Sequence, residues 1–105
     1  MGPGTLRLLE YIEKRRSIAG AARAMSLSYV KALRMVNQLE QGAGCSFLVR
    51  KRGGKDRGGT SLTPSALIWM REYRRMQERI HELAIEEFDR FAERLAAPDR
   101  DGDVG

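Results

Sequence analysis

The chain has 105 residues, with 42% hydrophobic and 31% charged residues, and 19 Lys and Arg stand against 14 Asp and Glu. That is the make-up of one modest globular domain and excludes a wholly disordered or membrane-embedded chain. A single cysteine, Cys45, excludes an internal disulfide framework and suits a reducing compartment.

No stretch reaches the roughly 18 apolar residues that span a bilayer, and the N-terminus lacks a basic segment followed by an apolar one. A cytoplasmic protein without membrane contact is therefore expected. The charge is unevenly placed: Met1 to Thr63 holds 12 Lys and Arg against 4 Asp and Glu, whereas Pro64 to Gly105 holds 7 against 10. A basic front half facing a polyanion, with phosphate backbones the foremost class, follows from that split.

In chain order, the first predicted helix covers about residues 5–15, with Thr5 as its cap and Leu6, Leu8, Leu9 and Ile12 on one apolar face. The stretch from Ser17 to Gln41 then reads as helix, tight turn, helix. Its first helix, about 18–25, carries the small residues Ala21 and Ala22 with Met25 for close helix packing. Gly20 inside it costs roughly 1 kcal/mol relative to Ala, which predicts a tight packing point or an approach to another backbone.

Ser28 is the predicted N-cap of the next helix, about 28–41. At 100° per residue, Ala32, Met35, Val36 and Leu39 share a core face, while Val30, Arg34, Asn37 and Gln41 lie opposite. Ser28, Tyr29, Lys31 and Leu33 complete the face that a DNA major groove would meet. Gly42 and Gly44 end the helix.

Two short β-prone runs, Phe47 to Arg50 and Thr60 to Leu62, flank a glycine-rich segment bearing Lys51, Arg52, Lys55 and Arg57, and predict a hairpin over 47–62 with a basic tip suited to phosphates. Thr63 and Pro64 then start a long helix, Thr63 as cap and Pro64 in the first turn. Without another Pro or Gly before Pro98, it is predicted over 64–97, followed by a polar tail at 98–105.

Along that helix Trp69, Tyr73, Met76, Ile80, Ala84, Phe88, Phe91 and Leu95 recur at intervals of 4, 3, 4, 4, 4, 3 and 4. This coiled-coil-like stripe with a break in the heptad predicts a homodimer interface. The competing reading folds it back on its own domain. Catalysis finds no foothold: there are no paired Cys or His spacings for a metal, and no cofactor site is expected. His81 is expected on an exposed helix surface, and Cys45 as a small buried or half-buried filler, a redox sensor being the alternative.

Taken together, Ser17-Ile18, the run Ala21 to Met25, Leu27-Ser28-Tyr29, Ala32, Arg34, Val36, Leu39, Gly44, Phe47-Leu48, Arg50, the pairs Gly53-Gly54 and Gly58-Gly59, and Leu62-Thr63-Pro64 carry a resemblance. From Leu6 to about Arg75 the chain resembles the N-terminal winged helix-turn-helix domain of the ModE molybdate-responsive transcription regulators, and more distantly LysR-type domains. Val30 and Leu33 stand where that family commonly has a basic residue and a tryptophan, and Ser46 replaces a usual proline. The resemblance implies a DNA-binding regulator from a bacterium or archaeon, located on the nucleoid. The family's C-terminal oxyanion-binding domains have no counterpart in this stretch, so neither molybdate sensing nor another small-molecule effector is implied.

The expected architecture is mainly α with a small β-hairpin: a winged helix-turn-helix at 1–63, followed by a long C-terminal dimerisation helix. The expected DNA-binding residues are Ser28, Tyr29, Val30, Lys31, Leu33, Arg34 and Asn37 on the reading helix, with Lys51, Arg52, Lys55 and Arg57 on the wing. A protein-assembly module with weakened DNA contact is the second reading, motivated by the apolar Val30 and Leu33.

Overall fold

The computed structural model describes residues 3–51 and 59–97, apart from the side chains of Pro3 and Lys51. Its elements are α1 (Pro3–Arg15), α2 (Ile18–Ala24), α3 (Tyr29–Ala43), β1 (Leu48–Lys51), β2 (Gly59–Leu62) and α4 (Pro64–Ala96). The described chain is mainly helical with one small hairpin, the winged helix-turn-helix class expected. It divides into two compact units, Met1–Glu72 and Tyr73–Gly105.

The first unit is held by a core of Leu6, Leu8, Leu9 and Ile12 from α1, Ile18, Ala21 and Ala22 from α2, and Ala32, Val36 and Leu39 from α3. Phe47, Ala66 and Met70 complete it. Each helix contributes one apolar stripe at helical spacing, the arrangement by which short helices bury a common interior. α1 starts earlier than expected: Pro3 opens the helix, where its fixed φ and missing N–H are tolerated, and Thr5 lies within the first turn.

The turn between α2 and α3 is a closed motif. Leu27 N–H donates to the Ala22 carbonyl at 2.8 Å and Ser26 N–H to the Arg23 carbonyl at 3.2 Å. With Ser26 at φ 56°, this is a Schellman arrangement that satisfies the last carbonyls of α2. Ser28 Oγ then accepts from Lys31 N–H at 3.0 Å, so one helix is stopped and the next started within four residues.

Gly20 is buried, and the nearest atoms a Cβ there would meet are Ser17 Oγ at 3.4 Å and the Cβ atoms of Arg15 and Ser17 at 3.5 Å. Of the two expectations at Gly20, close side-chain packing is the one its nearest neighbours fit. Gly20 N–H donates to Ser17 Oγ at 2.9 Å, the N-cap contact of α2.

β1 and β2 pair antiparallel, with Leu48 opposite Leu62 and Lys51 opposite Gly59. The hairpin is tied to the helices through Thr60 N–H, which donates to the Arg16 carbonyl at 3.0 Å. Gly59, at φ 120°, sits 3.7 Å from that same carbonyl at its would-be Cβ. Thr63 links wing to helix: its hydroxyl donates to the Ser46 carbonyl at 2.7 Å and accepts from Ala66 N–H at 3.1 Å, capping α4.

In the second unit, α4 from Tyr73 onward is exposed at nearly every position. Ion pairs of Arg79 with Glu82 and of Arg90 with Glu87 join neighbouring turns.

Candidate nucleic-acid interface

The candidate site is built on α3. Gly44, at φ 74°, stops the helix by donating its N–H to the Glu40 carbonyl at 2.8 Å. Glu40 then uses its side chain, Oε2 accepting from Phe47 N–H at 2.7 Å, which fixes the chain as it leaves the helix for the wing. With Ala32, Val36 and Leu39 buried, the angular position of α3 is set and its other face is turned to solvent.

On that face Ser28, Lys31, Arg34 and Asn37 are exposed, and so are Tyr29 at 47% and Val30 at 63%. Leu33 differs from its neighbours in being half-buried. The Ser28 hydroxyl is engaged as the helix cap, while its own proton stays available for donation. The first turns of α3 therefore present one phenol, one apolar branched side chain, two cations and one amide. Such groups match the donors, acceptors and methyls of base edges in a major groove.

Of the wing residues, Lys51 lies in β1, while Arg52, Lys55 and Arg57 fall outside the described residues. Arg50, one position before Lys51, is exposed, as are Arg16 beside the hairpin anchor and Arg23 in the last turn of α2. None of these three was named from the sequence as a DNA contact, although Arg23 and Arg50 belong to the motifs that carry the resemblance. Arg50 carried the signal of lying in the first wing strand; Arg16 comes beside the wing only through the fold, where Thr60 N–H meets its carbonyl, and Arg23 had no local signal beyond its charge and its place in the quoted run.

Cys45 is exposed, contrary to the expected buried filler. Past Gly44 the chain has left the helix, and Phe47 is the residue that fills the core there, with no exposed surface. His81 is exposed as expected. No helix among the described residues is long and apolar enough to cross a membrane.

The eight stripe residues of α4 fall into two groups. Trp69 is half-buried in the first unit, its ring edge-on to Phe47 at 6.0 Å between centroids, and Tyr73 is half-buried at the start of the second. Met76, Ile80, Ala84, Phe88, Phe91 and Leu95 are exposed, with Phe88 and Phe91 forming a tilted ring pair at 6.1 Å.

Residues 4–67 match the bacterial regulatory helix-turn-helix proteins of the LysR family. The chain belongs to that family. It is similar to the molybdenum transport protein ModE of Azotobacter vinelandii, with 34% identity over 90 residues, 86% of this chain and 32% of that protein. It thus spans about a third of that relative's length. Among solved structures it is similar to the DNA-binding domain of CbnR in complex with DNA, at 28% identity and a TM-score of 0.60, covering 92% of this chain and 99% of that one. CbnR, a LysR family transcriptional regulator, matches in a second structure at 26% identity and a TM-score of 0.59, over 88% of this chain and 29% of that one. The helix-turn-helix described above is therefore a DNA-binding domain of LysR type, and this family is one of transcription regulators, not a known class of enzyme.

Proposed function

We propose that this protein binds double-stranded DNA with sequence preference, as a homodimer, and regulates transcription from the bacterial nucleoid. The observation that carries this reading is the two-sidedness of α3. Its apolar side is locked into the core by Ala32, Val36 and Leu39, and the opposite side exposes Tyr29, Val30, Lys31, Arg34 and Asn37 at the start of a capped helix. In this role Arg34 pairs with guanine and Asn37 with adenine, while Ser28, Tyr29 and Lys31 make polar contacts to bases or adjoining phosphates. Val30, with Leu33 beside it, meets a thymine methyl. Lys51, Arg52, Lys55 and Arg57 hold phosphates.

The dimer is read from α4. The intervals 4, 3, 4, 4, 4, 3, 4 are the same in both directions, so two antiparallel copies centred on residue 82 oppose Trp69 with Leu95, Tyr73 with Phe91, Met76 with Phe88 and Ile80 with Ala84. Charge favours that sense. Pro64 to His81 has four Arg against two Glu, and Glu82 to Ala97 has five acids against two Arg, so the antiparallel pair sets a basic half against an acidic one. Two reading helices then meet half-sites about one helical turn, roughly 34 Å, apart.

Titrating duplex DNA across a salt series tests the reading: neutralised phosphates make log K fall with log salt. Arg34→Ala is expected to relax preference at one base position by about 1–3 kcal/mol. Failure to bind any duplex at low salt overturns DNA binding and turns attention to protein assembly through the exposed Tyr29 and Val30.

A further inference from the structure

Among the described residues, two other than glycine have positive φ, Arg16 at 58° and Ser26 at 56°. That conformation crowds a Cβ against the backbone, a strain that glycine avoids. Ser26 closes the turn between α2 and α3 with a small side chain, whereas Arg16 closes the turn after α1 with a long exposed cation. The backbone of Arg16 gives no reason for that choice. Its N–H donates to the Ile12 carbonyl at 2.7 Å and its carbonyl accepts from Thr60 N–H at 3.0 Å, bonds that glycine would make equally well. Strained residues of this kind cluster where a side chain has a role.

The geometry around Arg16 shows what that role is. Thr60 N–H points out of the hairpin to the Arg16 carbonyl, and Thr60 stands opposite Arg50 in the antiparallel pair. Directly opposed residues project from one face, so Arg50 and Thr60 share a face. At the roughly 4.8 Å spacing of hydrogen-bonded backbones, Arg16 and Arg50 stand on the order of 10 Å apart with Thr60 between them. Both arginines are exposed, and among the described residues neither has an ion-pair partner. Arg15, by contrast, lies over the Tyr11 ring at 5.7 Å.

We propose that Arg16 and Arg50 form a phosphate site at the base of the wing, separate from the tip cations, that grips neighbouring phosphates of one DNA strand. The site rests on the DNA-binding reading above and adds two residues which that reading does not use. A duplex strand carries one phosphate per roughly 3.4 Å of axis, so two long guanidinium arms at this separation reach phosphates close to one another, each with several donors. The Thr60 bond and the Thr63 hydroxyl on the Ser46 carbonyl tie the base of the wing to the helices, whose core also holds α3 through Ala32, Val36 and Leu39. Phosphates held at this base set the register in which α3 meets the base edges.

Fluorescence anisotropy with a labelled duplex of mixed sequence, titrated across a sodium chloride series, tests the site. Arg16→Gln keeps the strained backbone and removes the charge. It is expected to weaken binding about tenfold at low salt and to flatten the slope of log K against log salt by about 0.9. Arg50→Gln is expected to act alike, and the double variant to flatten the slope about twice as much. Arg16→Lys restores the charge and should return the slope to the wild-type value. Arg16→Gly separates the role from the fold: relief of the positive φ raises the unfolding temperature, while DNA binding falls as far as in Arg16→Gln. If either glutamine variant keeps the wild-type slope, or Arg16→Lys loses as much as Arg16→Gln, the phosphate site is overturned and DNA binding stands. An Arg16→Gly chain that binds DNA as the wild type does overturns it too. If the wild-type chain binds no duplex at low salt, the DNA-binding reading falls and the site with it.

Discussion

Two phenylalanines frame the difference between the halves of this molecule. Phe47 has no exposed surface and joins the ring of Trp69 in the core of the first unit, whereas Phe88, on α4, is 66% exposed. The first unit closes its apolar stripes on one another, so its stability is internal. The described residues of the second unit form a single helical stretch whose apolar side chains are mostly exposed. Helices of this kind owe their stability in water mainly to packing of an apolar face, so the two halves should respond differently to the same kind of truncation.

The largest expected effect comes from Phe47→Ala. Emptying a fully buried aromatic site costs about 3–5 kcal/mol, and denaturant unfolding followed through Trp69 fluorescence should show it at every protein concentration. A loss that disappears at low concentration would place Phe47 at an interface instead of in the core. Next comes Phe88→Ala, for which unfolding of the first unit should be unchanged while the dimer constant rises about tenfold, the effect of removing roughly 1.4 kcal/mol of interface energy. Sedimentation equilibrium measures it, and an unchanged constant would remove Phe88 from the interface.

The smallest effect is expected at Gly20→Ala. Its Cβ would meet side-chain atoms at ordinary contact distances, and alanine restricts the unfolded chain. Stabilisation of about 0.5–1 kcal/mol is expected in thermal or denaturant unfolding. Destabilisation would show that the packing around Ser17 and Arg15 has no slack.

Local signals were legible because their causes lie within a few residues. Ser28 and Thr63 cap their helices through amides three positions on, and Gly44 stops α3 in the left-handed conformation that glycine tolerates. The apolar spacing of α1 gave its buried face directly, and that of α3 gave Ala32, Val36 and Leu39, while Met35 on the same expected face is only half-buried. What was misread depended on neighbours distant in sequence or on choices of equal local merit. Thr5 and Pro3 both suit a helix start, and the helix uses Pro3. Cys45 and Phe47 both suit a small core after α3, and only the larger is buried. Gly20 suited either a tight packing point or a backbone approach, because its cost is visible in sequence while its neighbours, the side chains of Ser17 and Arg15, are not.

The sequence by itself determined the helices, the turn and the hairpin, because caps, turn chemistry and 3.6-residue periodicity all point to the same elements; the family came from the resemblance its motifs carry. It also determined the symmetric spacing along α4. The tertiary structure alone decided that α3 shows Tyr29 and Val30 to solvent while half-burying Leu33, and that Trp69 packs against Phe47. Burial is a property of what surrounds a side chain, and in a core drawn from α1, α2, α3 and α4 those surroundings come from residues tens of positions apart.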